Sequence, residues 1–253
     1  MEVIPRVRGG SIPGASTYSV GGASAEPLPS VESGPQPGGS MAQRSERRTS
    51  VTGAVFAVLL VASFVVAGET PGADDSVEEV VSFYSDNESE VVISAILSGL
   101  SAVFLLFFVG SLGSVLRSAE GPTEGLSAVA RAGGVVAAVG VLIFAGLLFT
   151  LGDAADTLEP EATQALNALN ADFFFPLAGG LATLLFATGL VAVQSRVLPG
   201  WLGWSALVIA VVTFSPLGFV AFLASIAWVL VTSVLLSFGR GRAPTVSTQA
   251  PPG

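Results

Sequence analysis

The chain sorts its charge by alternate loops. Between its apolar runs, Arg44, Arg47, Arg48, Arg117, Arg131, Arg196, Arg240 and Arg242 alternate with two segments, Glu69 to Glu90 and Asp153 to Asp172, that carry acids and no Arg. A water-soluble domain has no physical reason for such sorting. A chain threaded through a bilayer does, because basic loops stay on the cytoplasmic side. The pattern predicts an all-α polytopic transmembrane helical bundle with six spans. Arginine-bearing loops lie inside and acidic loops outside.

Composition narrows the chemistry. The sequence is 51% apolar and 11% charged, against roughly 25% charged residues in an average soluble domain, which is too little charge to cover a surface in water. Cys and His are both absent. That removes disulfides, thiolate nucleophiles, iron–sulfur ligation and every imidazole-based proton relay, haem or zinc site. All ten basic residues are Arg, spread thinly over several cytoplasmic edges, so no basic patch for nucleic acid is expected. The acids gather on the outside, where an electrostatic partner would be cationic.

Residues 1–40 are rich in Gly, Pro and Ser without apolar periodicity, which predicts a disordered tail; its proline clusters would also suit a polyproline-binding partner. Met41 opens a short basic lead through Arg44, Arg47 and Arg48, and translation is expected to start there. The membrane domain then covers 41–239, with spans at about 51–68, 90–116, 129–151, 173–194, 200–214 and 216–238. Residues 240–253 form a second disordered, cytoplasmic tail. Span one resembles a secretory signal with Val65-Val66-Ala67 as its cleavage site; its length favours a retained anchor, and both readings stay open. The stretch from Gly200 to Phe238 would reach roughly 58 Å as one helix, against a hydrocarbon core of about 30 Å. Ser215-Pro216 divides it, with Ser as N-cap and Pro at the first helical position.

Trp201 and Trp204 share one face at the start of span five, and Phe173, Phe174 and Phe175 open span four. Both sets suit the headgroup belt. Trp228 falls near the middle of span six, where interhelical packing is expected, with a lipid or pore contact as the alternative.

Each acidic loop is expected to hold a short amphipathic helix over the bundle's outer mouth. In the first, Ser76-Val77-Glu78-Glu79 fits a capping box and Val77, Val80, Val81 and Tyr84 share a face. In the second, Glu159-Pro160 leads a helix whose Ala162, Ala165, Leu166 and Leu169 are expected to face the bundle. Asp153, Asp156 and Glu159 read as a solvated acidic surface; calcium collection is the alternative. Asn87-Glu88-Ser89 is a glycosylation sequon.

No ionisable group sits deep in a span, where coupled transporters hold their ions; Arg131 lies close enough to the inner interface to snorkel. The hydroxyls of Ser94, Ser98, Ser101, Ser111, Ser114, Thr213, Ser225, Thr232 and Ser233 are expected to bond back to their own helices or to neighbours. No nucleophile has a base beside it. Catalytic, cofactor-binding and metal residues are therefore expected to be none, and cofactors none. Small residues form ridges at Gly53 and Ala57, at Ala130, Gly134 and Ala138, and at Gly179, Thr183 and Ala187. Such ridges let helix backbones approach, within one chain or between copies in a homo-oligomer.

The turn Val197-Leu198-Pro199-Gly200-Trp201-Leu202-Gly203-Trp204, with Trp228-Val229-Leu230-Val231 and Ser233-Val234-Leu235-Leu236, resembles a group of uncharacterised bacterial six-span membrane proteins common in actinobacteria. Tyr84 with Asp86-Asn87 is similar as well. The resemblance runs from about Met41 to Gly239 and implies fold and location without an activity. The position after the proline, often basic in that group, is Gly200 here.

The expected function is that of a non-catalytic integral membrane protein of the plasma membrane, both termini cytoplasmic, acting as a structural or interaction component among membrane lipids. The alternative is small-molecule transport or lipid binding through an uncharged interior. A continuous polar cavity would favour transport, and a filled bundle the structural role.

Overall fold

Clusters of Gly, Pro and polar residues separate the apolar helices, while single Gly or Pro residues such as Gly133 and Pro176 are carried inside them. The computed structural model describes residues 51–120 and 125–239, and among them every regular element is a helix. Both tails, with Met41 and its basic lead, lie outside the described residues. In chain order the helices are α1 (Thr52–Ala67), α2 (Val77–Asp86), α3 (Glu88–Ala119), α4 (Leu126–Ala154), α5 (Pro160–Asp172), α6 (Phe174–Ser195), α7 (Gly200–Val212) and α8 (Gly218–Gly239). Four stretches are long and apolar enough to cross a membrane: α3, α4, α8 and the run formed by α5 and α6. α1 and α7 are equally apolar but shorter. The protein is all-α, with the apolar helices of a membrane protein.

Six helices close into a ring in the order α1, α3, α4, α6, α7, α8 and back to α1. Side chains that meet fix the directions. Gly53 lies against Phe108 and Ser63 against Ser98, so α1 and α3 run antiparallel. Gly113 packs on Arg131 and Gly152 on Val91, which makes α3 and α4 antiparallel. Gly133 faces Leu184 while Gly140 faces Leu177, giving the same relation for α4 and α6. Gly189 meets Leu207 and Gly203 meets Ala192 across α6 and α7. The Trp228 indole N–H donates to the Leu202 carbonyl at 3.0 Å, and the α1 Ala54 N–H donates to Ser233 Oγ of α8 at 3.0 Å. The same Ala54 amide also donates to the Val51 carbonyl at 3.0 Å, so the start of α1 is tied to α8 by a shared donor.

The consequence is an up-and-down ring with two chemically distinct ends. Arg117, Arg131 and Arg196 gather at one end, and the acidic connections at the other. The Arg131 stem lies along Gly113, as a snorkelling side chain does. At the arginine end the Glu120 carboxylate bridges to the start of α4, accepting the Ser127 N–H at 2.7 Å and its hydroxyl at 2.6 Å. Those bonds, the hydroxyl first, hold its pKa below the usual carboxylate range.

Most apolar spans fall within a few residues of their predicted bounds, and two local expectations need correction. Ser215-Pro216 does not open α8, which begins at Gly218; Ser215 sits in the preceding turn, where its hydroxyl oxygen accepts the Leu217 N–H at 3.2 Å. The ridge on α6 is also displaced. A Cβ on Gly179 would meet nothing within 4 Å, and Thr183, although exposed, keeps its Cβ against Gly133, whereas a Cβ on Gly180 would strike the Ala137 backbone. On α4 the expected Ala130, Gly134 and Ala138 are buried, but the closest approach to α6 is made by Gly133 and Ala137 on the adjoining face. Trp228 is a packed interhelical side chain, buried on α8. Trp201 and Trp204 both lie exposed at the start of α7.

Candidate functional site

At the acidic end the ring is not filled. The half nearer the arginines is packed by Phe56, Leu105, Phe108, Leu112 and Leu116 with their neighbours. Above them opens a cavity of about 520 Å³, within the range of roughly 300–1,000 Å³ typical of small-molecule sites. Its floor is Leu60, Ser94, Val141 and Leu148, and its walls are largely aromatic. Phe64 lies tilted by 51° at 6.4 Å from Phe144 and edge-on at 6.1 Å from Phe222, which lies 6.5 Å from Phe219. Four rings from α1, α4 and α8 thus form one continuous surface. From Leu60 to the end of α1 at Ala67 the cavity descends roughly 10 Å. Phe175, Phe214 and Phe219 line it while remaining 71%, 66% and 62% exposed. That wall therefore also faces outward, beside the α7–α8 turn.

The roof comes from the acidic connections. Ser76 caps α2 as its sequence predicts, accepting the Glu79 N–H at 3.3 Å. Val80 and Tyr84 point inward and form a second small core with Val91, Ala95, Leu148 and Leu151. α5 presents the opposite face from the expected one. Ala162, Ala165 and Leu169 are exposed and only Leu166 is partly covered, while Thr163, Asn167 and Asn170 are buried. The reason is the loop below. Between α1 and α2 the chain leaves backbone carbonyls without helical partners, at the half-buried Pro71 and the exposed Gly72, and these accept from α5. Asn167 Nδ2 donates to the Gly72 carbonyl at 3.0 Å and to Pro71 at 3.4 Å, while its Oδ1 accepts the Tyr84 hydroxyl at 2.7 Å. Gln164 adds a bond to the Asp75 carbonyl at 3.1 Å.

Burial pushes the Tyr84 phenol up to about 12, because the phenolate would lose its hydration. The raised pKa means that the folded state favours the neutral phenol. This contribution is fully present below pH 10 and is lost as pH rises from about 10 to about 12, in total roughly 3 kcal/mol. Tyrosinate absorbance is expected to develop late in wild type, and Tyr84→Phe is expected to remove that late component.

The hydroxyls behave mostly as predicted. Ser101, Ser114, Thr213 and Ser225 donate back to their own helices. Ser94 and Ser98 cross to α1, donating to the Ser63 carbonyl and hydroxyl, each at 2.9 Å. Thr232 Oγ1 is buried without a partner among the described residues. The Asn87 side-chain amide of the sequon donates to the Phe83 carbonyl at 2.8 Å. Among the described residues no three Asp or Glu side chains gather closely enough to hold a metal ion.

Neither the aromatic surface nor the α5 asparagines were singled out from the sequence. The phenylalanines lie on separate helices, so no spacing within one helix links them. Thr163, Asn167 and Asn170 do carry helical spacing, and that polar stripe was the available signal. No known protein family, curated protein or solved structure matches the chain, so the likeness to the six-span bacterial group rests on its quoted residues alone.

Proposed function

We propose that this chain is a six-span integral protein of the plasma membrane, with both termini cytoplasmic, that holds a small amphiphilic molecule and carries out no bond chemistry on it. The observation that supports this reading is the aromatic cavity with its hydrogen-bonded roof. Close-packed interiors hold few voids larger than a water molecule, and a volume this large next to a lipid-facing wall suits an acyl-like chain. Its lining is predominantly apolar, unlike the continuous polar path that transport of a soluble solute would need.

Six crossings are supported by the ring. α1 and α7 each lie between two antiparallel neighbours, as the longer helices do. They reach only roughly 24 and 20 Å, but short helices are accommodated by bilayer thinning and interfacial anchors, and Trp201 and Trp204 are suitable anchors. The arginine end then faces the cytoplasm. Because α1 contributes Phe56 and Leu60 to the core, the retained-anchor reading of span one is favoured over the cleaved signal. The resemblance to the actinobacterial six-span group belongs to the same proposal. A structural or interaction role is the second reading, favoured by the open space beside Gly179 on α6, which would suit a second copy or another membrane protein.

Native mass spectrometry of protein purified in mild detergent is expected to retain a bound amphiphile. Ala178→Trp, which fills the cavity wall, is expected to abolish retention without lowering the melting temperature of the empty protein. A wild-type chain that keeps nothing and gains no stability from any added lipid would refute the reading.

A further inference from the structure

The cavity has a chemical direction. At its floor, the Ser94 hydroxyl donates to the Ser63 carbonyl. On its side, the hydroxyls of Thr213 and Ser215 donate to Ile209 and Val212. In the roof, Asn167 is committed to Tyr84, Pro71 and Gly72. Asn170 differs. It lines the cavity at 8% exposure, and its Oδ1 is buried with no hydrogen-bond partner among the described residues. A buried acceptor without a donor is costly, and a ligand that supplies the donor recovers that cost. Asp172 also lines the cavity and is exposed. Both acidic connections, Glu69 to Glu90 and Asp153 to Asp172, contain no Arg.

We propose that the cavity binds single-chain amphiphiles whose head group donates hydrogen bonds and carries no negative charge, an amine or a hydroxyl. The head sits under Asn170 beside Asp172, and the chain runs down the Phe64, Phe144 and Phe222 surface towards Leu60. Anionic heads are disfavoured twice, by the acceptor at the roof and by the field of the acidic connections. The proposal rests on the amphiphile reading above and adds the head-group chemistry.

The test uses four probes with the same dodecyl-length chain: dodecylamine, monolaurin, dodecyltrimethylammonium and laurate. The full chain is reconstituted in phosphatidylcholine nanodiscs, and bound probe is counted by competition in native mass spectrometry. Dodecylamine and monolaurin are expected to be retained about tenfold over laurate, with dodecyltrimethylammonium between them because it has charge but no donor. Asn170→Leu is expected to cut the preference for the two donors by about tenfold, as for one lost hydrogen bond, while leaving dodecyltrimethylammonium unchanged. The near-isosteric Asn170→Asp is expected to favour dodecylamine over monolaurin further, which keeps the proposal testable if the leucine variant does not fold. Equal retention of all four probes, unaltered by either variant, would overturn the head-group assignment and leave the amphiphile reading standing. Retention of none by wild type would overturn both.

Discussion

Gly180→Leu is expected to destabilise the detergent-solubilised protein by about 3 kcal/mol or more, at the top of the range for overpacked cores. The reason lies in what the new side chain would meet. A Cβ on Gly180 would strike the Ala137 backbone nitrogen and come within 2.9 Å of the Gly133 carbonyl. Across the same seam, a Cβ on Gly133 would lie 2.6 Å from the Leu184 nitrogen. Backbone atoms in two helices cannot rotate aside, so the helices would have to separate. In a membrane such a seam is held by van der Waals contact and not by the hydrophobic effect, and separation forfeits the contact outright. Gly134→Leu is expected to cost less, because its obstruction is the Val109 side chain. Gly179→Leu, one position earlier, starts from a Cβ that would meet nothing within 4 Å and is expected to leave melting unchanged. Thermal melting of the three variants side by side checks the order.

Asn167→Ala is expected to release the roof without unfolding the ring. One side chain ties α5 to the Tyr84 hydroxyl of α2 and to the carbonyls of Pro71 and Gly72. Its removal strands a buried phenol and the Pro71 carbonyl, each costing about 1–3 kcal/mol where water does not replace the lost partner, and leaves Gly72 with only its long bond from the Asp75 N–H at 3.5 Å. The loop lies near the surface, so water would recover part of this, and a loss of about 3 kcal/mol in the local stability of the roof is expected. Hydrogen exchange across residues 69–86 should accelerate, while exchange in α3 and α4 should not. The Tyr84 phenol should titrate closer to its ordinary value near 10. Amphiphile retention should fall with the roof. Uniformly faster exchange through all the helices would instead mean that Asn167 supports the whole bundle.

The features legible from sequence were those set by local composition. Apolar runs fixed the helices to within a few residues, because a helix in lipid continues until polar or Gly/Pro residues stop it. Ser76 announced the start of α2, since capping is a local event. What stayed hidden depends on residues brought together from far apart. Gly179 and Gly180 differ by one position, and only the rotation of α6 against α4 decides which is buried. α5 carried two stripes of helical spacing, Ala162, Ala165 and Leu169 on one side and Thr163, Asn167 and Asn170 on the other. Apolar patterning chose the first; the bonds that Asn167 gives to the carbonyls of Pro71 and Gly72 and to the Tyr84 hydroxyl hold the second inward. The cavity had no sequence signature, because Phe64, Phe144 and Phe222 come from three separate helices.

Everything about the cavity's access depends on which end of the ring faces outward and on whether α1 and α7 cross. The chain contains no Cys, so single thiols can be introduced and labelled in intact cells with a membrane-impermeant maleimide. Asp74→Cys, Asp156→Cys and Ser215→Cys are expected to label from outside, and Ser118→Cys and Gly200→Cys only after the membrane is opened. The same outcome at 200 and at 215, both labelled or both protected, would contradict the crossing of α7, and protection at both 74 and 156 would contradict the orientation of the entire bundle.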